Sequence, residues 1–126
     1  MLNSTPIRIA IIEDDAPIAS MYEFKFTQSG YLVRCARDGA EGLKLIKEIK
    51  PDLVLLDLKM PVMSGDEMLE KLRNEEWGKS IRVIVLTNIS RAEAPSKLRF
   101  LNVDRYIVKA HHTPQQVLDI AREVLK

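Results

Sequence analysis

The chain has 126 residues and 14.4 kDa, so we expect one domain over residues 1–126 with its own core. Lys and Arg number 19 against 18 Asp and Glu, so bulk charge predicts neither nucleic-acid nor membrane binding. No apolar run reaches the roughly 18 residues of a membrane span and no signal peptide is recognisable, so we expect a cytoplasmic protein. The single cysteine, Cys35, excludes an internal disulfide and suits a core position.

Short apolar runs rich in β-branched residues alternate with stretches of helical periodicity. The runs predict strands over residues 7–12, 31–36, 52–56, 81–86 and 105–108. Strict alternation of strand and helix favours right-handed crossovers and a parallel sheet covered on both faces. Arg34 interrupts the second run, so we expect that strand at an edge of the sheet.

Helix starts are marked by capping residues. The predicted N-caps are Asp15, Asp38, Ser64 and Thr113, the last three within capping boxes. Pro95 complicates the fourth helix, which we expect to begin near residues 93–95 and to end at Leu101. Asn102 then suits a left-handed C-cap.

Polar side chains follow the predicted inner strands. The first strand runs into Glu13-Asp14-Asp15, the third into Asp57, the fourth into Thr87 and the fifth into Lys109. The carboxyl ends of parallel strands share one edge, where open α/β sheets bind their ligands. We expect a crevice there, with Asp15 serving chiefly as a helix cap.

Three of these carboxylates need a neutralising cation. Two unit charges about 4 Å apart repel by about 4 kcal/mol at an effective dielectric near 20. Oxygen ligands without His or Cys favour Mg²⁺, with Mn²⁺ as an alternative. With Lys109 as a second positive charge, Asp57 is a candidate nucleophile toward a phosphoryl group.

The segments "IAIIEDDAPIASM", "LVLLDLKMPVMSG", "VIVLT" and "YIVKA" occur in this order over the whole chain. Together they resemble the receiver domain of bacterial two-component response regulators. The resemblance implies a flavodoxin-like (βα)5 fold, a doubly wound α/β sheet of five parallel strands in the order 2-1-3-4-5. It also implies a phosphoaccepting switch that catalyses its own phosphorylation and dephosphorylation, without being a turnover enzyme.

The resemblance assigns roles to individual residues. It implies Asp57 as phosphoacceptor, Asp14 as direct metal ligand, Glu13 as a ligand through water, the backbone carbonyl of Lys59 as a further ligand, Thr87 and Lys109 as phosphoryl contacts, and Tyr106 as the switch aromatic. Tyr106 is alternatively a half-buried strand residue without a signalling role. The Lys59 side chain either approaches the phosphate or is solvated.

The implied partners are proteins. A sensor histidine kinase or phosphotransfer protein would donate the phosphoryl group. A downstream protein would bind the face of the fourth helix, fifth strand and fifth helix, which carries Lys97, Arg99, Asp104, Arg105, Gln115 and Asp119. A phosphorylation-dependent dimer is a further expectation, although "KAH" departs from the "KPF" of the family's dimerising transcription factors.

Two departures from the family pattern keep an alternative open. Ala110 follows Lys109 where the family usually has proline, and Asn88 follows Thr87 where a smaller residue is usual. We expect slower phosphorylation or dephosphorylation, and the alternative is a non-phosphorylated pseudo-receiver that acts as a binding module. A flavin protein and an aspartate-nucleophile hydrolase fit poorly, and His111 and His112 read as surface residues.

Overall fold

Five parallel strands form one sheet in the order β2-β1-β3-β4-β5, as expected for the (βα)5 arrangement. The computed structural model describes residues 5–126, so residues 1–4 of the predicted domain lie outside the described residues. The strands are β1 (Arg8–Ile12), β2 (Leu32–Ala36), β3 (Leu53–Leu56), β4 (Arg82–Thr87) and β5 (Arg105–Val108).

Within the described residues, four α-helices cover the sheet. They are α1 (Ala16–Gln28), α2 (Gly39–Ile49), α3 (Gly65–Asn74) and α4 (Pro114–Val124). Short 3-10 turns occupy Glu76–Gly78, Arg91–Glu93, Ser96–Phe100 and Lys109–His111. Within residues 5–126 no helix has the length and apolar character needed to cross a membrane.

The core lies on both faces of the sheet. On one face Ile9 and Ile11 pack with Phe26 of α1 and Val117 of α4. On the other face Ile12 packs among residues from α2 and α3. β3 is buried along its whole length, whereas β2 is an edge strand and is largely open to solvent, as Arg34 predicted. The sheet is therefore doubly wound.

Three predicted helix caps form, and one does not. The Asp15 carboxylate accepts from Ile18 N–H at 3.0 Å, and Asp38 accepts from Glu41 N–H at 2.8 Å. Thr113 forms its complete reciprocal box. Ser64 stands at the predicted N-cap of α3, but the predicted capping box was wrong, because the Ser64 side chain makes no cap bond. The N–H of Gly65 instead donates to the Leu58 carbonyl.

The predicted fourth α-helix was wrong. Two 3-10 turns, Arg91–Glu93 and Ser96–Phe100, stand in its place. Pro95 has no backbone N–H and disfavours helical angles at the residue before it, and Ala94 is accordingly extended with ψ 149°. Asn102 does adopt the predicted left-handed conformation, with φ 53°.

Arg73, at the end of α3, ties together the loops that lead into β4 and β5. Its guanidinium donates to the carbonyls of Gly78 at 2.8 Å and Ile81 at 2.7 Å. It also donates to the carbonyls of Leu101 and Asn102, each at 2.8 Å. One half-buried side chain therefore anchors both loops at the amino ends of their strands.

Candidate functional site

Three carboxylates meet at the carboxyl ends of β1 and β3. Glu13, Asp14 and Asp57 each offer an oxygen within 4.8 Å of the other two. Glu13 is 4% exposed and Asp57 is 8% exposed, whereas Asp14 faces solvent. The sheet topology thus brings together the acidic residues that the sequence places at separate strand ends.

Asp57 is held by backbone and side-chain donors. Its Oδ1 accepts from the N–H of Leu58 at 2.7 Å and from that of Lys59 at 3.4 Å. Its Oδ2 accepts from Lys109 Nζ at 3.0 Å. Gly65 is needed beside it, because a Cβ there would lie 2.0 Å from the Asp57 carbonyl oxygen. The carboxylate therefore sits in a fixed orientation.

Lys109 supplies the positive charge of the site. Its ammonium group forms ion pairs with both Glu13 and Asp57. Burial lowers the pKa of Lys109, but its hydrogen bonds to these two carboxylates outweigh burial and raise the pKa above its ordinary value. The peptide bond from Lys109 to Ala110 is trans, so the lysine reaches the site without proline and without a cis bond.

Thr87 and Tyr106 both form hydrogen bonds with the backbone of Ile89. Thr87 is 1% exposed, and its Oγ1 accepts from the N–H of Ile89 at 3.4 Å. The Tyr106 hydroxyl donates to the carbonyl of the same residue, Ile89, at 2.8 Å. The Arg91 guanidinium lies 5.6 Å from the centre of the half-buried Tyr106 ring. The two predicted switch residues are therefore linked through Ile89.

The acidic set fits a hard divalent cation. It offers only oxygen ligands, and oxygens bound about 2.1 Å from one Mg²⁺ lie up to about 4.2 Å apart across the ion. The separations within 4.8 Å among Glu13, Asp14 and Asp57 are close to this requirement. Burial also raises the pKa of the Glu13 carboxyl, although Lys109 and the Asp15 N–H oppose this. A bound cation would relieve that cost of burial.

The cavity around these residues has a volume of about 510 Å³, and three of its lining residues were not predicted to lie there. These three are Ile18, Ile89 and Glu93. Glu93 was assigned to a fourth helix, so no sequence signal directed it toward Asp57. Lys59 and Asn88 also line the cavity, and both are exposed. Of the two histidines, His111 is exposed and His112 is half-buried.

The family model of the response regulator receiver domain matches residues 9–122. The chain belongs to this family. Receiver domains act in two-component phosphorelay signalling, and the pocket formed by Glu13, Asp14 and Asp57 is typical of their phosphoacceptor site. As in other receiver domains, this acidic triad can hold a metal ion.

Two curated signalling proteins are similar in sequence to this chain. The chain is 33% identical to hybrid signal transduction histidine kinase D of Dictyostelium discoideum over 86% of its own length. It is 32% identical over 81% of its length to the DNA-binding dual master transcriptional regulator RpaA of Synechocystis. The chain spans only 7% and 42% of these relatives, respectively.

The fold is shared with solved receivers. Chemotaxis response regulator CheY4 of Vibrio cholerae superposes with a TM-score of 0.87 at 26% identity, covering 96% of this chain and 100% of that one. A CheY-like response regulator receiver domain protein of Methanospirillum hungatei gives 0.86 at 30% identity, covering 96% and 94%. The receiver architecture is therefore present over nearly the whole chain.

Proposed function

We propose that Asp57 accepts a phosphoryl group in a magnesium-dependent reaction and that the chain signals through protein contacts. The supporting observation is the convergence of Asp57 with Glu13, Asp14 and Lys109 in one pocket. We also propose that residues 1–126 form a single receiver domain.

Each residue of the pocket has a part in this reaction. A carboxylate oxygen of Asp57 attacks phosphorus while the bond from phosphorus to the donor nitrogen breaks, and water later hydrolyses the acyl phosphate to regenerate Asp57. Mg²⁺, held by Glu13, Asp14, Asp57 and the backbone carbonyl of Lys59, would neutralise charge on the phosphoryl oxygens. Lys109 would contact the phosphoryl oxygens, since its ammonium group already contacts an Asp57 oxygen.

Thr87 would transmit the change. If the Thr87 hydroxyl turns toward a phosphoryl oxygen, it no longer accepts the hydrogen bond from the N–H of Ile89. The carbonyl of Ile89 is the acceptor of the Tyr106 hydroxyl. The Ile89 carbonyl would then shift, so the Tyr106 hydroxyl would lose its bond to it and the ring could turn inward. Phosphorylation would shift an existing equilibrium between the two positions, because a ligand acts only through its different affinity for two states.

The partners proposed are a phosphodonor and a downstream protein. Receiver domains partner histidine kinases, and one relative of this chain is a hybrid histidine kinase. We propose a sensor histidine kinase or phosphotransfer protein as donor, with phosphohistidine as the reacting group. The downstream protein would bind around the 3-10 turns, β5 and α4, where Arg99, Gln115 and Asp119 are exposed.

Phosphorylation is tested by incubating the protein with acetyl phosphate and Mg²⁺ and separating the products on phosphate-affinity gels. We expect a retarded band that disappears in Asp57→Asn and on chelation of the metal. Asp119→Asn, which makes the same change on α4, should keep the band. If the wild-type protein gives no retarded band with Mg²⁺ or Mn²⁺, the chain is a pseudo-receiver and the proposal is wrong.

A further inference from the structure

The Tyr106 ring is held by three consecutive residues of the loop after β4. Its hydroxyl donates to the carbonyl of Ile89 at 2.8 Å and lies 3.4 Å from the carbonyl oxygen of Ser90. The guanidinium carbon of Arg91 lies 5.6 Å from the ring centre, within the distance of a cation–π contact. Arg91 forms no ion pair with any of residues 5–126, so no charged partner there draws the guanidinium away from the ring.

Close packing does not by itself fix the position of this ring. Tyr106 is half-buried and packs at the margin of the core that includes residues of α2 and α3. A cavity of about 370 Å³ lies beside it, and both Tyr106 and Arg91 line this cavity. Because one side of the ring is not filled by other side chains, its hydrogen bonds and its contact with Arg91 decide where it stays.

We propose that Arg91 is a positioning residue that stabilises the position of Tyr106 seen here and thereby opposes phosphorylation of Asp57. Arg91 follows Ile89 by two residues, and the N–H of Ile89 donates to Thr87 Oγ1. A shift of this loop would therefore remove the stacking and the Tyr106 hydrogen bond together. The inference rests on the proposed function, because the phosphoryl group must favour the inward position of the ring.

Loss of the stacking should raise the population of the inward position. An exposed cation–π contact corresponds to about a two- to fivefold change in an equilibrium constant. Since ligand binding and this equilibrium are linked, Arg91→Gln should strengthen binding of beryllofluoride, a phosphoryl analogue, with Mg²⁺ by up to that factor. Electrostatics alone predicts the opposite, because removing a positive charge weakens binding of an anion at Asp57.

The position of the ring is followed by fluorine NMR of protein that contains fluorotyrosine, with the Tyr106 signal assigned from Tyr106→Phe. We expect Arg91→Gln without beryllofluoride to move this signal toward its value in the wild-type complex. Arg91→Lys should move it less, because the charge is kept. Arg99→Gln removes a guanidinium that lies 5.9 Å from the ring of the exposed Phe100 and should change neither the signal nor the binding.

A double variant separates stacking from charge. In a Tyr106→Leu background, Arg91→Gln should no longer strengthen binding. The inference is overturned if Arg91→Gln leaves the Tyr106 signal unmoved, if it fails to strengthen binding, if its effect persists without the tyrosine, or if Arg99→Gln has an equal effect. If the wild-type protein does not bind beryllofluoride with Mg²⁺, the proposed function fails and the inference with it. A normal wild-type response with no effect of Arg91→Gln refutes the inference alone.

Discussion

Arg73→Met should destabilise the protein by disconnecting two loops at once. The wild-type guanidinium makes four hydrogen bonds of 2.7–2.8 Å to the carbonyls of Gly78, Ile81, Leu101 and Asn102. Because Arg73 is half-buried and water can replace part of these contacts, we assign roughly 0.5–1 kcal/mol to each bond, or about 3 kcal/mol in total. Arg73→Lys keeps the charge but cannot serve both loops, so it should lose about 2 kcal/mol.

The measurement is urea denaturation followed by the fluorescence of Trp77, which lies in the turn that Arg73 contacts. The loss should appear as a lower midpoint with an unaltered slope. Arg34→Met removes an exposed arginine from the edge strand and should change the unfolding free energy by less than about 0.5 kcal/mol. The reasoning is refuted if Arg73→Met is as stable as Arg34→Met.

Three further predictions concern single positions. Val62 is 82% exposed and has φ 67°, which is strained for a β-branched residue, so Val62→Gly should raise the unfolding free energy by about 1 kcal/mol in calorimetry; a loss would contradict this. Gly65→Ala should cost at least about 2 kcal/mol in urea denaturation, because its Cβ would meet the Asp57 carbonyl oxygen; near-wild-type stability would show that the loop yields. Burial raises the pKa of the Cys35 thiol from 9.0 to about 11, so at pH 8 the folded protein should react about a hundredfold more slowly with a thiol reagent than the urea-unfolded chain. The stability linked to this shift is present below pH 9 and declines as the pH rises toward 11; equal reactivity in the two states would exclude it.

The strands and the acidic pocket could be read from the sequence because their causes are local or topological. Each apolar run is short and rich in β-branched residues, so its strand is recognisable without tertiary information. In a sheet of five parallel strands the carboxyl ends share one edge. The side chains that follow these ends, Glu13, Asp14, Asp57 and Lys109, must therefore approach each other. The distances confirm that approach.

The two 3-10 turns that replace the predicted fourth helix could not be predicted from the sequence, because contacts with distant residues help to determine them. Residues 91–101 contain good helix formers, and Pro95 alone is tolerated at a first helical turn. In the structure Lys97 instead pairs with Asp66 and Glu70 of α3, and Arg73 holds the Leu101 carbonyl. These contacts favour two short turns, and one of them brings Glu93 to the cavity. Local sequence contains no record of such partners.

The capping box at Ser64 shows the limit of a motif. Its residue types and spacing equal those of an ordinary box, but the side chain makes no cap bond. The backbone beside it closes on the Leu58 carbonyl, because Gly65 must pass close to Asp57. The close approach of Gly65 to Asp57 therefore determines the conformation of this loop, and the local capping preference of Ser64 does not.

The ammonium group of Lys109 between Glu13 and Asp57 makes any divalent ion a competitor, not a simple addition. When a divalent ion binds, it replaces the Lys109 ammonium as the counter-ion of the Glu13 and Asp57 carboxylates. The measured dissociation constant therefore reflects the difference in free energy between the metal and the lysine as partners for these oxygens. Substituting Lys109 should therefore tighten binding of the ion while it weakens the metal-free fold. Affinity for the cation and stability without it are set by the same side chain, in opposite directions.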